Sequence, residues 1–158
     1  MVHELRQRDG IMALSLVAEL EDETIVGHVI CSNAVVRKEN LSLPVLNFGP
    51  LSVLPECQRR GVGGALIRAM IKRAKQLDFG AILFFGRPEY YPQFGFKEAE
   101  VFGIADAEGY NYPSFMAMEL IPGYLKNVSG GRFYESDIYN DELNRNAVSM
   151  FDRQFFVN

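Results

Sequence analysis

Hydrophobic and polar positions along the chain change character twice. The charged opening, Val2 to Arg8, has the look of the last turns of a helix, stopped by Gly10. Two runs rich in β-formers follow, Ala13 to Leu20 and Thr24 to Cys31, with Glu21-Asp22-Glu23 between them as a loop of hairpin length. Ala34 to Arg37 continues the sheet, Lys38 to Pro44 reads as a polar turn, and Val45 to Leu54 is a further strand. Gly49-Pro50 interrupts that strand. A proline cannot donate to a ladder and a glycine weakens one, so the pair predicts a bulge or a splay.

Beyond Pro55 the period becomes helical. Leu66, Met70, Ala74 and Leu77 mark one face of a helix over Gly63 to Leu77, with Arg68, Lys72, Arg73 and Lys75 read as its solvated side. Ala81 to Gly86 is short and wholly apolar, the pattern of a strand buried on both faces. An aromatic segment punctuated by Pro and Gly, Glu89 to Phe96, precedes two predicted strands at Ala99 to Ala105 and Ser114 to Leu120. Asp141 to Phe155 closes the chain as a helix. Strands, then a strand–helix–strand unit, then strands again predict a mixed α/β fold with a partly antiparallel sheet. No repeat or linker divides the 158 residues, so one domain over 1–158 is expected.

Charge and composition remove several function classes. Sixteen Lys and Arg against 20 Asp and Glu give a net charge of −4, which offers nothing to hold a nucleic-acid backbone. Cys31 and Cys57 are too few for a disulfide framework, and His3 and His28 have no metal-ligand spacing to them, so no metal is expected. No run reaches the roughly 18 apolar residues of a membrane span. The expected compartment is the cytoplasm.

The candidate chemistry sits between the interrupted strand and the helix, in Gln58-Arg59-Arg60-Gly61-Val62-Gly63-Gly64-Ala65. Glycines let backbone N–H groups approach a ligand, and the first turn of a helix offers unpaired N–H groups at the positive end of its dipole. An anion cradle and a tight glycine-rich turn both fit this pattern. A Walker-type loop does not, because Ala65-Leu66 follows Gly64 where Lys-Ser/Thr belongs. A dinucleotide fingerprint fails too, since Leu66 stands where the third glycine is needed.

Leu46-Asn47-Phe48-Gly49-Pro50-Leu51-Ser52-Val53-Leu54-Pro55, running into Gln58-Arg59-Arg60-Gly61-Val62-Gly63 and followed by Tyr90-Tyr91-Pro92-Gln93-Phe94-Gly95-Phe96, resembles the GNAT superfamily of N-acetyltransferases. The flanks Gly27-His28-Val29 and Glu119-Leu120-Ile121-Pro122-Gly123 are similar to a bacterial branch of predicted acetyltransferases, and the resemblance spans Val17 to Tyr134. It implies a GNAT-like fold with a sheet splayed at the CoA site, and transfer of an acetyl group from acetyl-CoA to a primary amine of a small molecule or peptide. It implies that the backbone of Leu51, Ser52 and Val53 pairs with the pantetheine arm. The amides of Arg59, Arg60, Gly61, Val62, Gly63, Gly64 and Ala65 would hold the pyrophosphate, and Tyr91 would serve the departing thiolate as general acid. A core role is the alternative reading for Tyr91.

Relatives carry a first strand and helix ahead of the point where this chain begins, so two readings stand: the true start lies upstream, or the front is shortened. An open sheet edge there predicts self-association, a homodimer being its simplest form. The same shortening admits the alternative of a CoA-binding module without transferase activity. A purely structural interaction domain, binding no CoA, is the third reading.

The chemistry has a definite scale. A tyrosine at pKa about 10 giving its proton fully to a thiolate near 8.5 works uphill by roughly 1.5 units, or about 2 kcal/mol. A lysine-like amine at about 10.4 must lose a proton at a cost of roughly 4–5 kcal/mol at pH 7. The strand before the glycine loop has no carboxylate to receive it; Glu56 and Glu89 flank the motifs, and the base is left unassigned. Arg87, where the branch has an aspartate, is expected to disfavour a cationic acceptor. Cys57, with no histidine at motif spacing, reads as an inert thiol, and His28 as a strand residue.

Overall fold

The computed structural model describes residues 10–135, so the expected helices at Val2 to Arg8 and Asp141 to Phe155 lie outside the described residues. The described chain forms β1 (Gly10–Glu19), β2 (Ile25–Lys38), β3 (Leu41–Val53), α1 (Val62–Gln76), β4 (Ala81–Phe85), β5 (Lys97–Glu98), β6 (Phe115–Glu119) and β7 (Arg132–Tyr134). One seven-stranded sheet runs β1-β2-β3-β4-β6-β5, with β7 continuing the outer edge of β2 beyond β1. All pairs are antiparallel except β3 with β4. The chain crosses over there through α1, as a parallel pair requires.

Apolar alternation decides which face each layer covers. On β4, Ile82 and Phe84 face α1 while Ala81 and Leu83 face the opposite side; on β6, Met116 and Met118 divide from Phe115 and Ala117 in the same way. α1 contributes Leu66, Ile67, Met70 and Ala74 to the first core. Leu77, expected on that face, instead caps the helix and is 37% exposed, while Ile67 is fully buried there. No second helix covers the other face among the described residues. The irregular segments after β5 and after β6 do so, the first with Ala99 and Ile104 and the second with Leu125 and Val128. Gly27 lets the start of α1 come close to β2, since a Cβ there would stand 2.9 Å from Leu66 Cδ1.

Two sequence expectations need correction. The polar turn placed at Lys38 to Pro44 is only Glu39-Asn40, with Lys38 paired to Leu41 and Pro44 lying within β3 opposite Val35. The hairpin's tip projects beyond the core, so its polar residues are strand rather than loop. The proline is tolerated because β4 reaches only Leu46 and Asn47 of β3. The strand placed at Ala99 to Ala105 is a 3-10 turn over Ala99–Phe102, closed by Gly103 at φ 72°. Its buried positions, Ala99 and Ile104, are five apart with Val101 exposed between them, which is no strand period. Only Ala105 makes a bridge, to Arg132.

Ile67→Ala removes a fully buried side chain from beneath the sheet. It should lower unfolding free energy by about 2–5 kcal/mol. Lys72→Ala, on the exposed side of α1, should stay within about 0.5 kcal/mol, both read by urea denaturation.

Candidate active site

The site begins with a fault in the ladder. β3 pairs with β4 only at Leu46–Ile82 and Asn47–Leu83. On its other side Leu51 pairs with Val29 and Phe48 with Cys31, so Gly49 and Pro50 together oppose the single residue Ile30. Gly49 holds φ at 120°, a conformation that an L side chain rarely adopts, and the Gly49–Pro50 peptide is cis. This is the bulge that the dipeptide predicted. Past it β3 keeps its ladder to β2 as far as Val53 but no longer pairs with β4.

The glycine loop is anchored at the end of that released segment. Leu54 N donates to Val26 O at 2.8 Å, a 3-10 turn covers Pro55–Cys57, and Gln58 Nε2 donates to Val53 O at 3.1 Å. Gly61, at φ 84°, occupies the N-cap of α1 without a side chain capping the helix, and no acidic residue lies in the first turn. The first helical bond runs from Ala65 N to Gly61 O at 3.0 Å, so the amides of Val62, Gly63 and Gly64 precede it. Most helix starts are closed by a Ser, Thr, Asp or Asn oxygen. This one presents its N–H groups and dipole uncovered, the arrangement that favours an anion.

A groove of about 860 Å³ runs along this start. Of the residues expected to bind cofactor, Leu51, Val53, Arg59, Gly61, Gly63 and Gly64 line it, and so does Tyr91. Ser52, Arg60, Val62 and Ala65 do not. Ser52 pairs with His28 on the alternate side of the strand; Val62 packs toward Gly27; the Ala65 amide is committed to Gly61. Arg68 and Arg87 also line the groove, so with Arg59 it holds three guanidinium groups and no carboxylate. Arg68 is exposed, as expected of the solvated side of the helix, and it also borders the groove. Its position four residues after Gly64 places it on the same face, a signal that spacing alone carries. Its guanidinium lies 5.0 Å from the centre of the Phe94 ring. Tyr90 is a second addition: a Cβ on Gly63 would meet its hydroxyl at 3.5 Å.

Tyr91 stands where two cavities meet. It and Leu51 line both the groove and a smaller cleft of about 350 Å³ that opens between β3 and β4, walled by Phe48, Gly49, Pro50, Phe84 and Phe85. Its ring makes edge contacts with Phe84 at 4.6 Å, Tyr90 at 5.1 Å and Phe48 at 5.8 Å. Gly86 makes room for it, since a Cβ there would fall 2.5 Å from Tyr91 Cε2. Burial raises the Tyr91 pKa above its ordinary value and the neighbouring Tyr90 adds to this, while Arg87 opposes it. The phenol therefore stays protonated at neutral pH.

The cleft also receives Asn47 and Glu135. Asn47 is buried, and its Nδ2 donates to Glu135 Oε2 at 2.9 Å. Glu56 and Glu89, the acids flagged by sequence, line neither cavity. Arg87 lines the groove and not the cleft. His28 lies on β2 with its Nε2 3.1 Å from Ser15 Oγ, and Cys31 and Cys57 are both buried thiols. Among the described residues no group of three or more His, Cys, Asp or Glu is placed to hold a metal, and no helix is long and apolar enough to cross a membrane.

Residues 13–98 match the family model described as the acetyltransferase (GNAT) domain, and the chain belongs to that family. It is 37% identical over 86 residues to the uncharacterized N-acetyltransferase YjhQ of Escherichia coli K12, covering 54% of this chain and 46% of YjhQ. It is 29% identical over 99 residues to the uncharacterized N-acetyltransferase YhbS of the same strain, covering 63% of this chain and 58% of YhbS. The chain thus spans about half the length of the curated relatives it matches. The crystal structure of E. coli YhbS in complex with CoA superposes with a TM-score of 0.78 at 23% identity, over 88% of this chain and 75% of that one. A GNAT family acetyltransferase from Brucella melitensis in complex with acetyl-CoA superposes with a TM-score of 0.58 at 29% identity, over 77% and 66% respectively.

Gly86→Ala should push the Tyr91 ring from its cage into water. In an alkaline ultraviolet titration the component lost in Tyr91→Phe should then move down toward the ordinary tyrosine value near 10. An unmoved component would show that Gly86 does not set the ring's position.

Proposed function

We propose that this chain is a single-domain, acetyl-CoA-dependent N-acetyltransferase that passes the acetyl group directly to a primary amine. The observation that carries the reading is one groove joining the uncapped start of α1 and three guanidinium groups to Tyr91 at the mouth of the β3–β4 cleft. The amides from Val62 to Gly64, with Arg59, suit a pyrophosphate. Gly63 keeps the wall low enough for backbone approach, and Arg68 and Arg87 add positive charge along the same groove. The edge of β3 at Leu51 and Val53, released from β4, suits the amides of a pantetheine arm added as a short extra strand. Gln58 already donates to Val53 O, so that carbonyl is partly engaged. The acetyl-CoA complex of the Brucella relative supports this choice of donor.

Tyr91 acts on the leaving sulfur. Its raised pKa widens the gap to a thiol, so complete proton transfer is harder than from a free tyrosine. A hydrogen bond from the phenol to the developing thiolate stabilises the charge without that full cost, and does so best in a cage walled by aromatic rings. Release of CoA as a thiol follows once the sulfur is protonated. The reading places the protein in the cytoplasm as a homodimer. The outer edge of β1 has no strand partner among the described residues and supports that association.

Isothermal titration should give micromolar binding of acetyl-CoA and CoA and none of a dinucleotide. Gly61→Val, a β-branched residue forced to positive φ, should abolish it. Tyr91→Phe should lower kcat by about 10²–10⁴-fold with acetyl-CoA affinity nearly unchanged. Absence of acetyl-CoA binding to the wild-type chain would remove the proposal. Binding with no transfer to any amine would leave a CoA-binding module.

A further inference from the structure

The amine's proton needs a destination, and the strand before the glycine loop supplies none. We propose that Glu135, oriented by Asn47 in the cleft between β3 and β4, is the base that receives the proton of an ammonium acceptor, and that this cleft is where the acceptor enters. The inference rests on the acetyl-transfer reading above and deepens it.

The cleft and the donor groove share only Leu51 and Tyr91 among their lining residues. An acyl group carried along the groove to Tyr91 therefore meets whatever stands in the cleft. Among the residues lining the two cavities, Glu135 is the one carboxylate, and it lies on the cleft side. The guanidinium groups of Arg59, Arg68 and Arg87 all lie on the groove side. The two openings thus carry opposite charge: phosphates are drawn to one and an ammonium to the other.

Asn47 is buried in β3 and has a fixed ladder partner in Leu83, so its amide is a rigid mount. Facing a carboxylate, it donates through Nδ2 to Oε2, leaving Oε1 for the acceptor. Loss of hydration raises the Glu135 pKa above the usual carboxylate range, and the Asn47 hydrogen bond moderates that rise. A stronger base than a free carboxylate results, closer to the amine's value of about 10.4. The other titratable group on the cleft wall is Tyr91, which stays protonated. β3 and β4 place only uncharged residues there, and Arg37 of β2 lies 5.2 Å from the ring centre of the adjacent Tyr134. Glu135 as a whole is exposed, which gives its proton a path to solvent.

The step balances. The ammonium gives one proton to Glu135, and the freed nitrogen lone pair forms the C–N bond with the thioester carbonyl. The C–S bond breaks with its electron pair on sulfur, Tyr91 covers that charge, and the second proton shed by nitrogen ends on sulfur. Glu135 returns its own proton to water. The net reaction converts ammonium and thioester to amide, thiol and one proton.

The test uses the full chain with acetyl-CoA and a panel of aliphatic primary amines: butylamine, a polyamine and a peptide bearing one free lysine. Glu135→Gln keeps an oxygen for Asn47 and lies at an exposed position, so folding should be retained. With acetyl-CoA affinity unchanged by titration, kcat/KM at pH 7 should fall about 10²–10⁴-fold. The loss should shrink as pH rises toward the amine's own pKa, where the acceptor is already neutral. The wild-type acidic limb, set above the usual carboxylate range, should disappear. Asn47→Ala, which removes the moderating hydrogen bond, should move that limb to higher pH. A Glu135→Gln rate within about threefold of wild type and with the same pH profile overturns the assignment alone. Acetyl-CoA binding with no amine acetylated overturns the assignment while leaving the donor site standing. No acetyl-CoA binding overturns both readings.

Discussion

Everything at the candidate site depends on one break in the β3–β4 ladder. A parallel pair that continued past Asn47 would bond the edge of β3 from Phe48 to Val53 to a neighbouring strand, leaving neither a cleft nor free backbone beside the glycine loop. Gly49 and Pro50 prevent this by setting two residues against Ile30, which turns β3 away from β4 while its ladder with β2 continues. The cost falls on a short stretch, because the antiparallel β2–β3 pairing on one side and the aromatic packing of Phe48 and Phe84 on the other hold the geometry. Unpaired backbone at such a break is costly when sealed from water and without partners. Opening it to a groove where a ligand can pair is the physical resolution.

The break also organises charge. A groove with three arginines and the positive end of α1 meets a cleft whose one carboxylate is Glu135, and the aromatic side chains around Tyr91 stand at their junction. Low polarity there raises the pKa of both Tyr91 and Glu135, with different chemical results. A phenol kept protonated is a donor for negative charge on sulfur. A carboxylate made more basic is a better acceptor for a proton on nitrogen. On the proposed reading, one environment prepares both ends of a transfer in opposite senses.

How much of this could be read in advance varies with the kind of signal. The Gly49-Pro50 bulge, the helix from the region of Gly63, and the buried strand at Ala81 follow from local rules: proline lacks a donor, periodicity reports a buried face, and a wholly apolar run implies two covered faces. Local rules failed where burial was set from a distance. Ala99 to Ala105 has strand-forming composition, but Ala99 and Ile104 are buried by the far face of the sheet and the backbone between them coils to deliver both. β7 is three residues long, too short for any period to show. At the site, the glycines and Tyr91 were legible as motif positions. Arg68 faces water as helix cations are expected to, and its spacing from Gly64 also sets it beside the loop. Glu135 could not have been found by sequence, because its partner Asn47 is 88 positions away in the chain.

The central claim is that the released edge of β3 and the uncapped first turn of α1 form one continuous donor site. Amide hydrogen exchange with and without acetyl-CoA tests it most directly, because it reads individual backbone N–H groups. The account predicts new protection confined to the amides of Leu51, Val53 and Val62 to Gly64, with little change at Ser52, whose residue pairs with β2. Protection centred elsewhere, or on the loop without the β3 edge, would contradict it.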